Sequence, residues 1–264
     1  MNIKIIIAAH KPYRMPTDLI YLPLQVGAKG KESIGYQRDD EGENISDLNP
    51  YFCELTGLYW AWKNLDADYI GLAHYRRHFS MHPHARDKWD AVLKYDEIKD
   101  DLEKIKIFVP EKRRYYIETL YSHYAHTHYV DQLDETEKII AECYPDYLDS
   151  YKTTVQQRWG YMFNMMIMER GMFNEYCSWL FDILFKLRNR KGEKDLTPFH
   201  SRYYGRISEI IFNVWLQYQQ QINVIDKNEI REIPYIHMEK VNWIKKGTAF
   251  LKAKFIGKKY ESSF

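Results

Sequence analysis

The sequence predicts an α/β domain, and three observations predict it. Short, nearly uninterrupted apolar runs such as Ile3–Ala9 and Tyr69–Ala73 recur along the chain. Stretches of helical period separate them, and polar or basic residues gather where each run stops. Runs of this kind are strands of a sheet covered on both faces. With 264 residues the chain can bury one large core. Acids and bases nearly cancel, 37 against 38, so no overall field favours nucleic acid. Aromatics make up 16%, with 23 tyrosines, a residue that stacks on bases and sugars and also furnishes interfaces. Cys53, Cys143 and Cys177 form no CxxC pair and leave one odd thiol, which fits a reducing compartment. The start shows no basic-then-apolar leader, and no run approaches the roughly 20 apolar residues of a membrane span. The expected location is cytoplasmic.

The first strand, Ile3–Ala9, ends in His10-Lys11-Pro12-Tyr13, where proline stops regular pairing. Ligands of open α/β sheets bind beyond the carboxyl ends of strands. His10 and Lys11 are therefore candidate nucleotide contacts, or an ordinary turn. Residues 21–47 read as one long, glycine-rich loop; Gly27-Ala28-Lys29-Gly30 lacks the GK[ST] ending of a phosphate loop. Asn49-Pro50 opens a helix, with Asn49 as cap and proline in the first turn. Leu55, Leu58, Tyr59 and Trp62 form its apolar face. Asp66-Ala67-Asp68 has the D-x-D spacing of a metal site but precedes its strand, and so reads as a turn at the wrong edge of the sheet.

The functional reading centres on Asp68–Phe79. Its first half is a buried strand; its second half places His74, Tyr75, Arg76 and Arg77 at the strand end. Guanidinium forks pair bidentately with phosphate oxygens, so Arg76 and Arg77 are a candidate anion site, or two solvated arginines. Residues 81–104 form a polar connection closing in a charged helix, Asp96–Lys104. The strand Ile105–Val109 follows, then a second basic cluster with Arg113 and Arg114. Two such strand ends suit a diphosphate between them.

Tyr115–Cys143 reads as helical and carries His123, His126 and His128. The first two share a face and the third does not. A zinc hydrolase is the rival that this cluster raises, without an H-E-x-x-H motif to support it. Trp159–Met168 is a strand holding a lone Asn164, which needs a partner, backbone or a sugar hydroxyl. Helices Met172–Leu187 and Ile207–Tyr218 come next, joined by a charged loop over 188–200. Glu209 falls in the first turn of the second helix, where the helix terminus would lower its pKa, whether its role is catalytic or structural. The domain spans residues 1–239. Residues 240–264 are a basic amphipathic tail, with seven lysines and no acid from Lys240 to Tyr260. It either lies on an anionic membrane surface or packs on the domain.

Two segments carry a family resemblance: Asn49-Pro50-Tyr51-Phe52-Cys53-Glu54-Leu55-Thr56-Gly57-Leu58-Tyr59-Trp60 and Tyr69-Ile70-Gly71-Leu72-Ala73-His74-Tyr75-Arg76-Arg77. Together they resemble the DUF4422 family, found in bacterial capsule, exopolysaccharide and O-antigen clusters and regarded as glycosyltransferases. The resemblance implies a GT-A-like, Rossmann-type mixed sheet flanked by helices, with additional C-terminal helices. It further implies a UDP-sugar donor, with galactofuranose among the family's sugars, and a glycan or lipid-linked glycan acceptor. Donor contacts would be His10, Lys11, His74, Tyr75, Arg76, Arg77, Arg113 and Arg114; acceptor contacts would be Asn164, Arg206 and Glu209. Where GT-A enzymes carry D-x-D after the central strand, this chain has His74-Tyr75-Arg76-Arg77. The expectation is that arginine charge replaces a metal at the leaving diphosphate, with no cofactor. Two alternatives stay open: a divalent ion such as Mn2+ on His74 and His237, or one held by acids not singled out. For an inverting reaction the candidate bases are Glu209, then Glu169, then Asp182. A non-catalytic glycan-binding partner protein is the second rival.

Overall fold

The structure is a computed structural model that describes residues 1–239. The basic tail expected over 240–264 lies outside the described residues. In chain order the elements are β1 (Ile3–Ala9), β2 (Tyr21–Gln25), β3 (Gln37–Arg38), α1 (Asn49–Phe52), α2 (Leu55–Asn64), β4 (Tyr69–His74) and β5 (Arg77–Phe79). Next come β6 (Ile107–Pro110), β7 (Arg113–Arg114), α3 (Leu120–Thr127), α4 (Asp131–Cys143), α5 (Leu148–Val155), β8 (Trp159–Gly160) and β9 (Met166–Glu169). The last are α6 (Arg170–Lys191), α7 (Tyr203–Gln221), β10 (Ile230–Ile233) and β11 (Tyr235–His237).

The main sheet runs β10-β6-β9-β4-β1-β2-β3, with β5 paired to β4 and β11 to β5. Along that path every strand is parallel to β1 except β9, which lies antiparallel between β4 and β6. Alternation along the strands splits the core into two layers. Ile6 and Ala8 of β1 and Ile70 and Leu72 of β4 face a layer built from α2, α6 and α7. Ile5 and Ile7 of β1 and Ala73 of β4 face the other layer. Gly71 permits the close approach of β9: a Cβ there would stand 2.8 Å from the Met166 carbonyl oxygen.

Several expectations need correction. Residues 21–47 are not one loop: β2 pairs in register with β1 and β3 with β2. Pro23 disguises β2, since a proline inside a run argues against a strand. Asp39 organises the rest. Buried completely, its carboxylate accepts from the amides of Gly27 (2.8 Å) and Ala28 (2.9 Å) and from the hydroxyls of Ser46 (2.5 Å) and Thr56 (2.7 Å). Asp96–Lys104 is not a helix but a 3₁₀ turn at Tyr95–Glu97 followed by further turns. The connection before β6 is less polar than expected, for Ala91, Val92, Leu93, Ile98 and Leu102 all fill the second layer.

Asn49 does not cap its helix. Leu48 holds that position, and the Asn49 amide donates forward to the Cys53 carbonyl (2.7 Å) and Thr56 hydroxyl (3.2 Å). Those bonds brace a break between α1 and α2, where Cys53 takes φ 54 and ψ −130. The segment 115–143 divides into α3 and α4. The segment 159–168 divides into β8, a turn and β9, so Asn164 sits in a turn (φ 53) and not within a strand. α6 outruns its expected span at both ends, and α7 starts at Tyr203, four residues early. Glu209 is thereby moved into the second turn.

Candidate active site

The carboxyl ends of β1 and β4 and the amino end of β9 share one edge of the sheet. β4 stops at His74 and reverses through Tyr75-Arg76 into β5. The reversal separates the two arginines, because Arg76 lies in the turn and Arg77 opens β5. Arg77 turns inward, its guanidinium 3.7 Å from the centre of the Phe163 ring. Arg76 turns outward, over Tyr75 at 5.1 Å and 3.3 Å from a Glu239 carboxylate oxygen. The ribbon of β7 and β8 splits the second pair likewise: Arg113 is half-buried over Tyr115 (4.8 Å), while Arg114 is exposed. α7 adds Arg206, over the Phe199 ring at 5.0 Å, and Glu209 one turn later.

Asn164 ties this inner site together. Its amide donates to Glu54 Oε1 (2.7 Å) and the Gly205 carbonyl (3.0 Å), and its oxygen accepts from the Ser208 hydroxyl (2.8 Å). One turn residue thus joins the α1–α2 break to the start of α7. His74 donates from Nε2 to the Phe163 carbonyl at 2.6 Å; a carbonyl only accepts, so the proton lies on Nε2. Burial lowers the His74 pKa, with Glu54 the main opposing influence.

The electrostatics are uneven in a telling way. Nε of Arg77 and Nε of Arg206 are buried without a hydrogen-bond partner. Burial lowers the pKa of Arg77 despite the nearby Glu209 carboxylate. Burial raises the pKa of Glu209; Arg206 pulls it back, Glu54 pushes it further up, and Arg113 and Arg77 offset part of the rise. This overturns the expected lowering, because seven residues into α7 desolvation outweighs the helix terminus. Buried guanidinium Nε groups left without a hydrogen-bond acceptor favour binding of an anion that supplies one.

An outer basic-aromatic half adjoins this inner site. The His10 ring meets Tyr75 edge-on at 5.3 Å, Tyr13 meets it at 5.0 Å, and the Lys11 ammonium lies 5.6 Å from its centre. The pKa of His10 is lowered by burial, then by Lys11, Arg76 and Arg202.

Other candidates are held elsewhere. Glu169 ends β9 opposite Tyr69, and because β9 is antiparallel this is the amino edge of β4, away from the site. Asp182, on α6, bonds the Tyr144 hydroxyl (2.7 Å) and Lys186. Asp68 of the D-x-D turn accepts from the Asn2 amide at that same amino edge (2.7 Å). His123 and His126 both bond the buried Glu118 carboxylate, at 2.8 and 2.7 Å, while His128 packs near Phe199 and His200. His237 lies on β11 in register with Arg77. Among the described residues no three His, Cys, Asp or Glu side chains gather as a metal set, and the His74 Nε2 is already engaged. The residues present do not fit a metal on His74 and His237.

Glu54 and Arg202 were not foreseen. Arg202 Nε stands 2.9 Å from Cys53 Sγ, beside Glu54. A signal existed, since Glu54 is the sole charged residue between Asp47 and Lys63.

Comparison with known proteins agrees with this architecture. A solved structure described as the WbbM bifunctional glycosyltransferase in its apo form superposes with a TM-score of 0.83 at 30% identity. The match covers 91% of this chain and 46% of that one, so the chain spans about half the length of its structural neighbour. The mostly parallel sheet with one reversed strand, flanked by helices, is accordingly GT-A-like. No curated protein matches. The profile of the family described as a domain of unknown function, DUF4422, matches residues 4–221, and the chain belongs to that family.

Proposed function

We propose that the chain is a glycosyltransferase that moves a hexose, galactofuranose among the candidates, from a UDP-sugar to a glycan or lipid-linked glycan of a bacterial surface polysaccharide. The observation that carries this reading is the convergence of Arg77 and Arg206, each with a buried, unpartnered Nε, on the raised carboxyl of Glu209. The name of the structural neighbour supports the same reaction class. The site lies where α/β sheets receive nucleotides.

In this reading Arg77, Arg113 and Arg206 grip the diphosphate, and the outer half with His10, Lys11, Tyr75 and Arg76 receives the rest of the donor. The acceptor oxygen attacks the anomeric carbon and its proton passes to a Glu209 carboxylate oxygen. The bond from the anomeric carbon to the β-phosphate oxygen breaks, and its electron pair leaves with UDP. The arginines stabilise the charge that develops on the phosphate, the task a metal performs in D-x-D enzymes. Glu54, fixed by Asn164, orients the acceptor hydroxyl beside Glu209.

The test is turnover of a UDP-hexose panel with and without EDTA. Activity should persist in EDTA. Arg77→Gln should lower kcat at least about 100-fold, as loss of one preorganised charge contact does, with an unchanged circular dichroism spectrum. Near-normal turnover by folded R77Q would sink the reading. Activity that appears only with added manganese would remove its metal-independent part.

A further inference from the structure

The turn between β7 and α3 carries two large apolar side chains in solvent: Tyr116 is 75% exposed and Ile117 58%. The Ile117 amide donates to the Tyr115 carbonyl at 2.6 Å, closing a three-residue turn around Tyr116 at φ 56. A γ-turn of this left-handed form is rare and strained, and a bulky residue at its centre makes it more so. The turn is nonetheless fastened. The Tyr115 amide donates to the Arg158 carbonyl (2.8 Å), and Arg158 Nη1 donates to the Tyr116 carbonyl (3.2 Å). Immediately behind it, Thr119 and Ser122 cap α3 reciprocally. Tyr115 points the other way, into a small cluster with Leu120 and Met162. The fold thus tolerates strain to hold outward two residues that burial would favour inside.

Charge around the turn is arranged to match. Arg114 and Arg158 are exposed on its flanks. The acid nearest it, Glu118, is 2% exposed and is engaged by His123 and His126. Lys112 is tied to Glu232 at 2.9 Å. What faces solvent is an aromatic-aliphatic tip between two cations, the composition that settles at the headgroup boundary of an anionic bilayer. A stable protein interface buries about 800 Å² on each partner, more than two side chains supply.

We infer that the 115–118 turn is a membrane-docking tip, with Tyr116 and Ile117 at the acyl boundary and Arg114 and Arg158 on lipid phosphates. The inference rests on the geometry of the turn and not on the transferase reading. Arg113, one residue from Arg114, faces the inner site, so docking brings the mouth of that site to the bilayer.

The test is co-sedimentation of the full 264-residue chain with phosphatidylcholine vesicles, with and without phosphatidylglycerol. The wild-type chain should pellet with the anionic vesicles. The Y116G/I117S double variant should bind about tenfold more weakly or worse, and Arg114→Gln about fivefold more weakly. Glycine relieves the strain at 116, so the double variant should fold; should it not, Arg114→Gln carries the test. Leu19→Ser, at a still more exposed apolar residue just before β2, at the amino edge of the sheet, should change nothing. Unweakened binding by Y116G/I117S, or by R114Q where that variant carries the test, would overturn the inference and leave vesicle binding to another surface. A wild-type chain that ignores anionic vesicles would overturn it too, and self-association lost in Y116G/I117S would then make the tip a protein contact.

Discussion

Glu209 shows how much a single side chain owes to its surroundings. Its pKa stands above the ordinary 4.5 because burial disfavours the charged form more than the arginines favour it. A base must be unprotonated, so activity should rise as pH climbs through this raised pKa. The acid limb of kcat/KM is therefore expected above the usual glutamate range. Glu209→Gln should abolish that limb and lower kcat by about 10² to 10⁴. Arg206→Gln should shift the limb upward, because Arg206 is the strongest influence holding the carboxylate form. A pH–rate profile of the three proteins checks both outcomes. The residue types at this site were legible in the sequence as chemistry at strand ends and a helix start. Their directions were not: Arg76 and Arg77 read as a pair, and only the reversal into β5 sends one to solvent and the other beneath Phe163. Glu54 stood out only as an isolated charge, and a continuous helix from Asn49 would have pointed it elsewhere.

At the scale of elements, the expectations that held are those with a strong local period, such as β1 and the buried face of α6. Those that failed depend on distant partners. The 21–47 segment lacks a periodic apolar run, and what orders it is one carboxylate reaching amides and hydroxyls well separated in sequence. Asp39→Ala would strip four donors of their buried acceptor at once. Each stranded donor costs about 1–3 kcal/mol, so the loss should be roughly 3 kcal/mol or more. Urea denaturation checks it, as a lower midpoint with an unchanged slope. The loss should reach the site as well, since Thr56 also anchors Asn49 and hence the break that presents Glu54. Asp96–Lys104 failed in the opposite direction: its charges mimic a helix, but Ile98 and Leu102 are needed against the sheet.

At the scale of the whole molecule, the sheet order and its single reversed strand place the site, and stability reflects what the two layers bury. His78 is fully buried in the second layer, between Tyr21 and Trp89. Neither ring nitrogen makes a well-formed hydrogen bond, and its pKa is lowered to about 4 from 6.5, chiefly by burial. Above pH 6.5 the ring is neutral folded or unfolded and costs nothing. Below pH 6.5 the unfolded chain takes up a proton that the folded chain refuses, so stability falls until about pH 4. The shift corresponds to roughly 3 kcal/mol at the acid end. His123, also lowered to about 4, adds a loss of the same sign. Melting temperatures across that range should fall steeply for the wild-type chain and less steeply for His78→Phe.

Asn164 joins Glu54 to Gly205 and Ser208, while Arg77 and Glu209 lie near enough to influence each other's charge. The consequence concerns the order in which a ribosome delivers these parts. Residues 54, 77 and 164 emerge long before 206 and 209, and domains fold as units during synthesis. Until α7 has left the exit tunnel and docked, the nascent chain carries Arg77 without the carboxylate beside it. A chain released anywhere before Gly205 would lack Arg206, Glu209 and two of the three partners of Asn164, as well as the strands β10 and β11, so under the proposed function it should be inert.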